Sequence, residues 1–336
     1  MKVEEAGELE LIKKIACKFR RHYPPVILGA GDDDCAVLEC NGCLTGKCLV
    51  MTTDGMRAST HFPKGMTPFQ MGWSVVAANL SDVAAMGARP LAFTVAMGIP
   101  PDAEVSLVEE IAEGIERCAS QFDVFVVGGD VGRSDELTLV GTCVGFVERR
   151  KLIKRSGANV GDAVCVTGHL GNAALGLELL RGNVKPRLSR SAEEVAKKAL
   201  LKPMPRVKEG IALAETGVVT SMMDVSDGLA KSLHELSMSS GVGFEIYPEK
   251  IPVPKELRNA LGEKALELAL YYGGDYELLF TARRDGLDVL KKVEKETGTK
   301  ISVIGEVKRL DEGIYMKGDK REKIELKGYL HFGATP

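Results

Sequence analysis

The chain of 336 residues has no uninterrupted apolar run near the ~20 residues that a membrane span needs, and its start, Met1-Lys2-Val3-Glu4-Glu5, holds no apolar signal core. Both absences predict a soluble, cytoplasmic protein. It also lacks a long basic run: 44 Lys and Arg are dispersed against 47 Asp and Glu, for a net charge of −3, so neither nucleic acid nor a membrane is expected as a partner. The usual nucleotide cradles are missing. Gly46-Lys47 is followed by Cys48 and has Asn41 where a Walker loop needs its first glycine, and no G-x-G-x-x-G opens a helix. None of the five histidines stands in a nucleophile elbow, so no nucleophilic triad is expected.

Eight cysteines are too few for a disulfide scaffold in a chain this long, and Cys118, Cys143 and Cys165 lie in apolar surroundings. Cys40-Asn41-Gly42-Cys43, with Cys48 behind it, has the outline of a CxxC site, but no second pair accompanies it. Asn41-Gly42 between two apolar strands reads as a hairpin tip whose cysteines are incidental.

What the chain does have is room for a full core, 45% of its residues being hydrophobic, in an order that mixes helix and strand in both halves. Glu8 to Arg21 reads as an opening helix with an apolar face. The charged group Glu148-Arg149-Arg150-Lys151 is read as the boundary between two α/β domains, residues 1–148 and 149–336.

The most informative stretch is Asn79-Leu80-Ser81-Asp82-Val83-Ala84-Ala85-Met86-Gly87-Ala88-Arg89-Pro90. It closes a helix that starts at Thr67-Pro68, since Thr suits an N-cap and Pro the first helical position, while Gly87 and Pro90 stop it. Asn79 and Asp82 share one face. The small residues Ala77, Ala78, Ser81, Ala84 and Ala85 let other backbone approach, so this helix is expected to present an acid in a cleft rather than to fill a core.

Further acids follow apolar runs: Asp54 after Leu49-Val50-Met51, Asp130 after Val124-Phe125-Val126-Val127, and Asp224 and Asp227 after Met222-Met223. Each is expected at a strand exit, where α/β proteins place ligand-binding groups. Asp32, Asp33 and Asp34 add three adjacent carboxylates. Two carboxylates about 4 Å apart repel by roughly 4 kcal/mol at an effective dielectric near 20, so a gathered set needs cations. All-oxygen ligands favour magnesium, which binds through carboxylates, water and substrate phosphates.

Gly31-Asp32-Asp33, Thr52-Thr53-Asp54, His61-Phe62, the helix motif Asn79 to Ala88, Gly128-Gly129-Asp130, Arg155-Ser156-Gly157-Ala158, Asp224-Val225-Ser226-Asp227-Gly228, Gly274-Asp275-Tyr276-Glu277-Leu278-Leu279-Phe280 and Gly328-Tyr329-Leu330-His331-Phe332 resemble, in order, the signatures of the thiamine-monophosphate kinase family. That family shares a superfamily with aminoimidazole ribonucleotide synthetase and selenophosphate synthetase. The resemblance implies two mixed α/β domains of the aminoimidazole ribonucleotide synthetase-like fold, and a homodimer whose N-terminal sheets join into a barrel. It also implies magnesium-assisted transfer of the ATP γ-phosphoryl group directly onto thiamine monophosphate, with no covalent nucleophile.

Carried over by position, Asp32, Asp33, Thr52, Thr53, Asp54, Asp82, Asp130, Asp224 and Asp227 would serve several magnesium ions. Gly129, Asp130, Arg155 and Ser226 would contact ATP, and His61, Asp275 and Tyr329 the thiamine phosphate. The chain departs from the family pattern twice. Its acidic turn has three aspartates where two are usual, leaving Asp32-Asp33 or Asp33-Asp34 as the matched pair, and it lacks the Glu that usually precedes Asp275. The alternative within the superfamily is another ATP-dependent enzyme: selenophosphate synthetases carry a reactive Cys or selenocysteine in an N-terminal Gly-rich loop, where the region before Gly29 here has only Cys17 on an expected helix, and the hydrogenase-maturation relative ends in a cysteine, where this sequence reads His331-Phe332-Gly333-Ala334-Thr335-Pro336. A non-catalytic nucleotide- or metal-binding regulator is the alternative of a different class.

Overall fold

The structure, a computed structural model, describes residues 25–29, 31–40, 45–184 and 188–329. The opening helix, the hairpin tip with Cys43, and His331-Phe332 lie outside the described residues.

Strands β1 (Val26–Leu28), β2 (Ala36–Glu39) and β3 (Lys47–Arg57) precede helix α1 (Pro68–Ala85); β4 (Arg89–Ile99), α2 (Val105–Gln121), β5 (Phe125–Arg133) and β6 (Thr138–Glu148) follow. They form a six-stranded sheet in the order β1-β2-β3-β6-β4-β5. Its pairings are antiparallel except β4 with β5, a parallel pair joined by the crossover helix α2.

Helix α1 begins as its sequence predicts. The Thr67 hydroxyl accepts from the Gln70 N–H at 3.3 Å, and the Gln70 side chain accepts from the Thr67 N–H at 2.9 Å, a reciprocal capping box with Pro68 in the first turn. Gly87, at φ +65°, ends it. The helix does more than present an acid, however. Trp73, Val76, Leu80 and Val83 are fully buried, in one core with Val207, Leu213 and Met222 from the second half of the chain. Small residues open the helix to neighbours on every side: a Cβ added at Gly72 would lie 2.0 Å from the Ile111 carbonyl oxygen, and one at Gly114 1.9 Å from that of Phe69. The α1 and α2 backbones therefore touch, and a helix covered all round is buried all round.

The second half contains β7 (Ala163–Thr167), α3 (Asn172–Leu180), α4 (Arg190–Leu201), α5 (Val207–Thr216), β8 (Val219–Val225), α6 (Leu229–Ser240), β9 (Val242–Ile246), α7 (Lys255–Leu261), α8 (Lys264–Tyr271), β10 (Glu277–Ala282), α9 (Leu287–Thr297), β11 (Ile301–Arg309), β12 (Ile314–Lys317) and β13 (Arg321–Lys323). Its seven-stranded sheet runs β13-β12-β9-β11-β7-β10-β8. Strands β7 and β10 are buried at every residue, as central strands covered on both faces must be.

Between the sheets, Glu148 pairs with Arg150 at 2.9 Å and with Lys151 at 2.7 Å, and Lys151 reaches Glu215 on α5 at 2.8 Å. Among the described residues, no helix is long and apolar enough to cross a membrane.

Candidate active site

Strands β3, β5 and β8 run through Asp54, Asp130 and Asp224 rather than ending at them; of these acids only Asp227 follows its strand. The reason is pairing. β3 stays hydrogen-bonded to β6 from Lys47 to Arg57, so its acid is carried on one face of a continuous ladder. Alternation separates the two threonines. Thr52 turns to α1, where its hydroxyl donates to Asp82 Oδ2 at 2.6 Å, whereas the Thr53 hydroxyl donates to the Gly141 carbonyl at 2.7 Å.

Three carboxylates converge. Asp34 from the acidic turn, Asp82 from α1 and Asp224 from β8 each offer an oxygen, all within 4.8 Å of one another. Ser81, the residue before Asp82, donates to Asp224 Oδ2 at 2.7 Å, and Ser226 lies 3.2 Å from Oδ1. Burial, reinforced by the neighbouring Asp34, pushes the Asp224 carboxyl up to about 8 against the Ser81 hydrogen bond. Asp82 is pushed well above the carboxylate range by burial and then by Asp54, Asp224 and Asp34, with Thr52 opposing. Asp34 Oδ2 is buried without a hydrogen-bond partner among the described residues. A buried carboxylate oxygen left unsatisfied between two acids that resist ionisation marks a site short of positive charge.

Arg155 supplies part of that charge. Its guanidinium pairs with Asp34 and, at 3.0 Å, with Glu235 on α6, while its backbone N–H donates to Asp33 Oδ2 at 2.9 Å. The other Asp33 oxygen accepts the Asp34 N–H at 2.9 Å, and Asp32 accepts the Gly29 N–H at 2.8 Å. Of the two possible pairs in the acidic turn, the structure therefore turns Asp34 into the cluster and uses Asp33 to brace the turn against residue 155.

The chain of charges continues along α6. Lys231 donates to Asp227 at 2.7 Å, lies 3.9 Å from Glu235, and reaches the Tyr329 carbonyl at 3.5 Å. The Tyr329 N–H in turn donates to the Asp227 carbonyl at 3.1 Å, and the Tyr329 ring stands 6.1 Å from that of His61. His61 and Tyr329, both expected from the sequence on the substrate side, thus meet across 268 positions of the chain. Lys231 and Glu235 were not singled out from the sequence. Their signal is the four-residue spacing Asp227, Lys231, Glu235 at the start of a helix.

Two predicted groups lie apart. Asp275 is turned onto the start of α3, accepting the Gly171 N–H at 2.6 Å and the Ala173 N–H at 3.0 Å. Gly129 and Asp130 lie on the exposed edge strand β5, beside a pocket of about 550 Å³ also lined by Arg57, Arg133 and Glu136. The register runs Asp54, Gly141, Val95, Gly129, so about 14 Å of sheet, three strand spacings, separates the two acidic loci within one chain.

Both halves match the AIR synthase related protein family, the N-terminal domain over residues 32–147 and the C-terminal domain over residues 159–316. This defines the class: a two-domain AIR synthase-type protein with an acid cluster between its sheets. The chain is 40% identical to thiamine-monophosphate kinase of Methanospirillum hungatei, over 89% of this chain and 92% of that one. It is 38% identical to the Archaeoglobus fulgidus enzyme of the same name, over 97% and 98%. The solved structure of AaThiL complexed with AMPPCP and TMP superposes with a TM-score of 0.84 at 31% identity, over 99% of each chain. The chain belongs to the thiamine-monophosphate kinase family.

Proposed function

We propose that the chain transfers the γ-phosphoryl group of ATP to the phosphate of thiamine monophosphate, giving thiamine diphosphate and ADP. The observation that carries this reading is the convergence of Asp34, Asp82 and Asp224 with an unsatisfied oxygen on Asp34. The donor set is all oxygen and fits magnesium, with Asp34, Asp82 and Asp224 as the holding residues and Thr52, Asp54 and Asp227 around them. Bound magnesium would neutralise the phosphates and align donor with acceptor.

The chain's own residues supply the rest. Arg155 and Ser226 border the cluster and offer donors to nucleotide phosphates. The tilted rings of His61 and Tyr329 form an aromatic wall suited to the cationic thiamine ring. Asp275 acts on the substrate side through the α3 N-terminus that it caps. The acceptor is a phosphate oxygen already ionised at neutral pH, so no strong general base is required.

The homodimer is part of the same proposal. Edge strand β5 leaves Phe125, Val127 and Val131 exposed by 67%, 64% and 65%, and Leu91 on the adjoining β4 and Val140 on β6 are exposed as well. Apolar surface of this kind on an open sheet edge favours pairing with a second sheet. Pairing there would bury β5 and bring Gly129 and Asp130 to a site that they do not reach within one chain. We place the domain division at residues 148 and 149, where β6 ends.

The test is direct. Purified chain, ATP, magnesium and thiamine monophosphate should yield thiamine diphosphate and ADP in equal amounts by chromatography. ATP turnover that does not depend on the acceptor, or none at all, would remove the kinase reading.

A further inference from the structure

Tyr276 belongs to none of the site residues assigned above, yet its backbone is held in an unusual way. It is one of two non-glycine residues with positive φ among those described, at +50°, a conformation that tyrosine adopts only when its surroundings impose it. The surroundings do so from three directions. The Tyr276 N–H donates to the Val225 carbonyl at 3.0 Å, and the Gly274 N–H to that of Ser226 at 2.7 Å, tying the loop to the segment between Asp224 and Asp227. Gly273 is pressed so close that an added Cβ would lie 2.2 Å from the Ser226 oxygen.

The residues on either side are pinned by their own carboxylates: Asp275 by the amides at the start of α3, and Glu277 by Arg206 Nε and Nη2, at 2.7 and 2.6 Å, and by Thr167 at 2.7 Å. These contacts hold the loop on both sides of Tyr276. The side chain that it directs is half-buried and packs against the core that the two halves of the chain share. Its phenol is pushed well above the usual tyrosine range by burial first, then by Asp54, Asp224, Asp227 and Asp82. No hydrogen bond to a described residue engages the Tyr276 hydroxyl, and the loop that carries it is tied to the segment bearing Asp224 and Asp227.

We propose that Tyr276 is a further catalytic residue, its hydroxyl donating a hydrogen bond to an oxygen of a substrate phosphate held over the acid cluster. The inference rests on the kinase reading for its substrates. It adds a hydroxyl donor to a site otherwise made of acids and cations, and gives the strained loop a purpose: holding one O–H beside the segment that carries Asp224 and Asp227. The phosphate could come from the ATP tail or from the acceptor monophosphate.

Tyr276→Phe removes the oxygen and keeps the ring. Turnover should fall about 10- to 100-fold, the range of a lost hydrogen bond to a charged group, with the melting temperature within about 2 °C of the parent. Two calorimetric arms locate the partner: affinity for the methylene-bridged ATP analogue with magnesium, and affinity for thiamine monophosphate. A loss confined to one arm assigns the phosphate to that ligand; loss of turnover with both affinities kept assigns the bond to the transition state. Unchanged turnover together with unchanged affinities overturns the proposal. So does a fall in melting temperature that weakens both ligands alike, since that is what a purely structural tyrosine would do. If the parent binds the analogue through Tyr276 but forms no thiamine diphosphate, the kinase reading falls and the phosphate contact stands.

Discussion

Asp82→Asn separates what the acid cluster does for stability from what it does for chemistry. At 4.8 Å and an effective dielectric near 20, two ionised carboxylates repel by about 3.5 kcal/mol, and Asp82 takes part in two of the three close pairs among Asp34, Asp82 and Asp224. Protons and the Arg155 guanidinium offset most of that in the metal-free protein, leaving a net gain of about 1–3 kcal/mol when one acid becomes neutral. Asn keeps an oxygen that can accept the Thr52 hydroxyl, so packing is preserved. In EDTA the variant should therefore melt higher than the parent, by roughly 2–8 °C.

In millimolar magnesium the order should reverse, because the parent gains stability from the ion and the variant does not. Turnover should fall about a thousandfold, the loss of a metal-held contact worth roughly 4 kcal/mol in the transition state. Scanning fluorimetry with EDTA and with magnesium, beside an ADP-release assay, reads all three. A variant that melts lower in EDTA, or one that keeps near-parental turnover, would refute the reasoning.

Within the acidic turn, Asp34→Asn should lower turnover at least 100-fold while Asp32→Asn changes it less than about threefold, since the structure turns only Asp34 into the cluster; equal effects would reopen the assignment. Tyr329→Ala should raise the Michaelis constant for thiamine monophosphate about tenfold and leave that for ATP nearly unchanged; equal shifts with a fallen melting temperature would make Tyr329 an anchor of the chain end instead. For Asp275, burial raises the folded carboxyl to about 7 from an unfolded value near 3.8, against the pull of the Ala173 and Gly171 amides. The folded state then binds more protons between those values, so this group's contribution to stability falls as pH rises through that window. Urea midpoints at pH 5 and pH 8 should converge in Asp275→Asn relative to the parent, and an unchanged gap would place the titration elsewhere.

Thr67-Pro68, Gly87 and the small residues between them settle by themselves that α1 exists, where it starts and where it stops, because capping and backbone conformation are local. The motif order from Asp32 to Tyr329 likewise sufficed to recognise the family and the phosphate chemistry, since acids, metal and phosphates need those residue types whatever brings them together. Helix α9 is legible for the same local reason. Helices α7 and α8 and the strands β1 and β13 are not: at seven, eight, three and three residues they are too short for a pattern to declare them, and neighbours hold them in place.

Which carboxylates share a site was decided only by tertiary structure. Pairing along the whole of β3 put Thr52 and Thr53 on opposite faces, the bracing of residue 155 by Asp33 turned Asp34 inward, and sheet order left Asp130 on an edge strand three strand spacings from that of Asp54. Local chemistry likewise names Asp275 as an acid in a motif, yet only the approach of the α3 amides made it a helix cap. The burial of α1 follows the same logic. Its sequence permits close neighbours, and it took the second half of the chain, arriving through α5 and β8, to close over it.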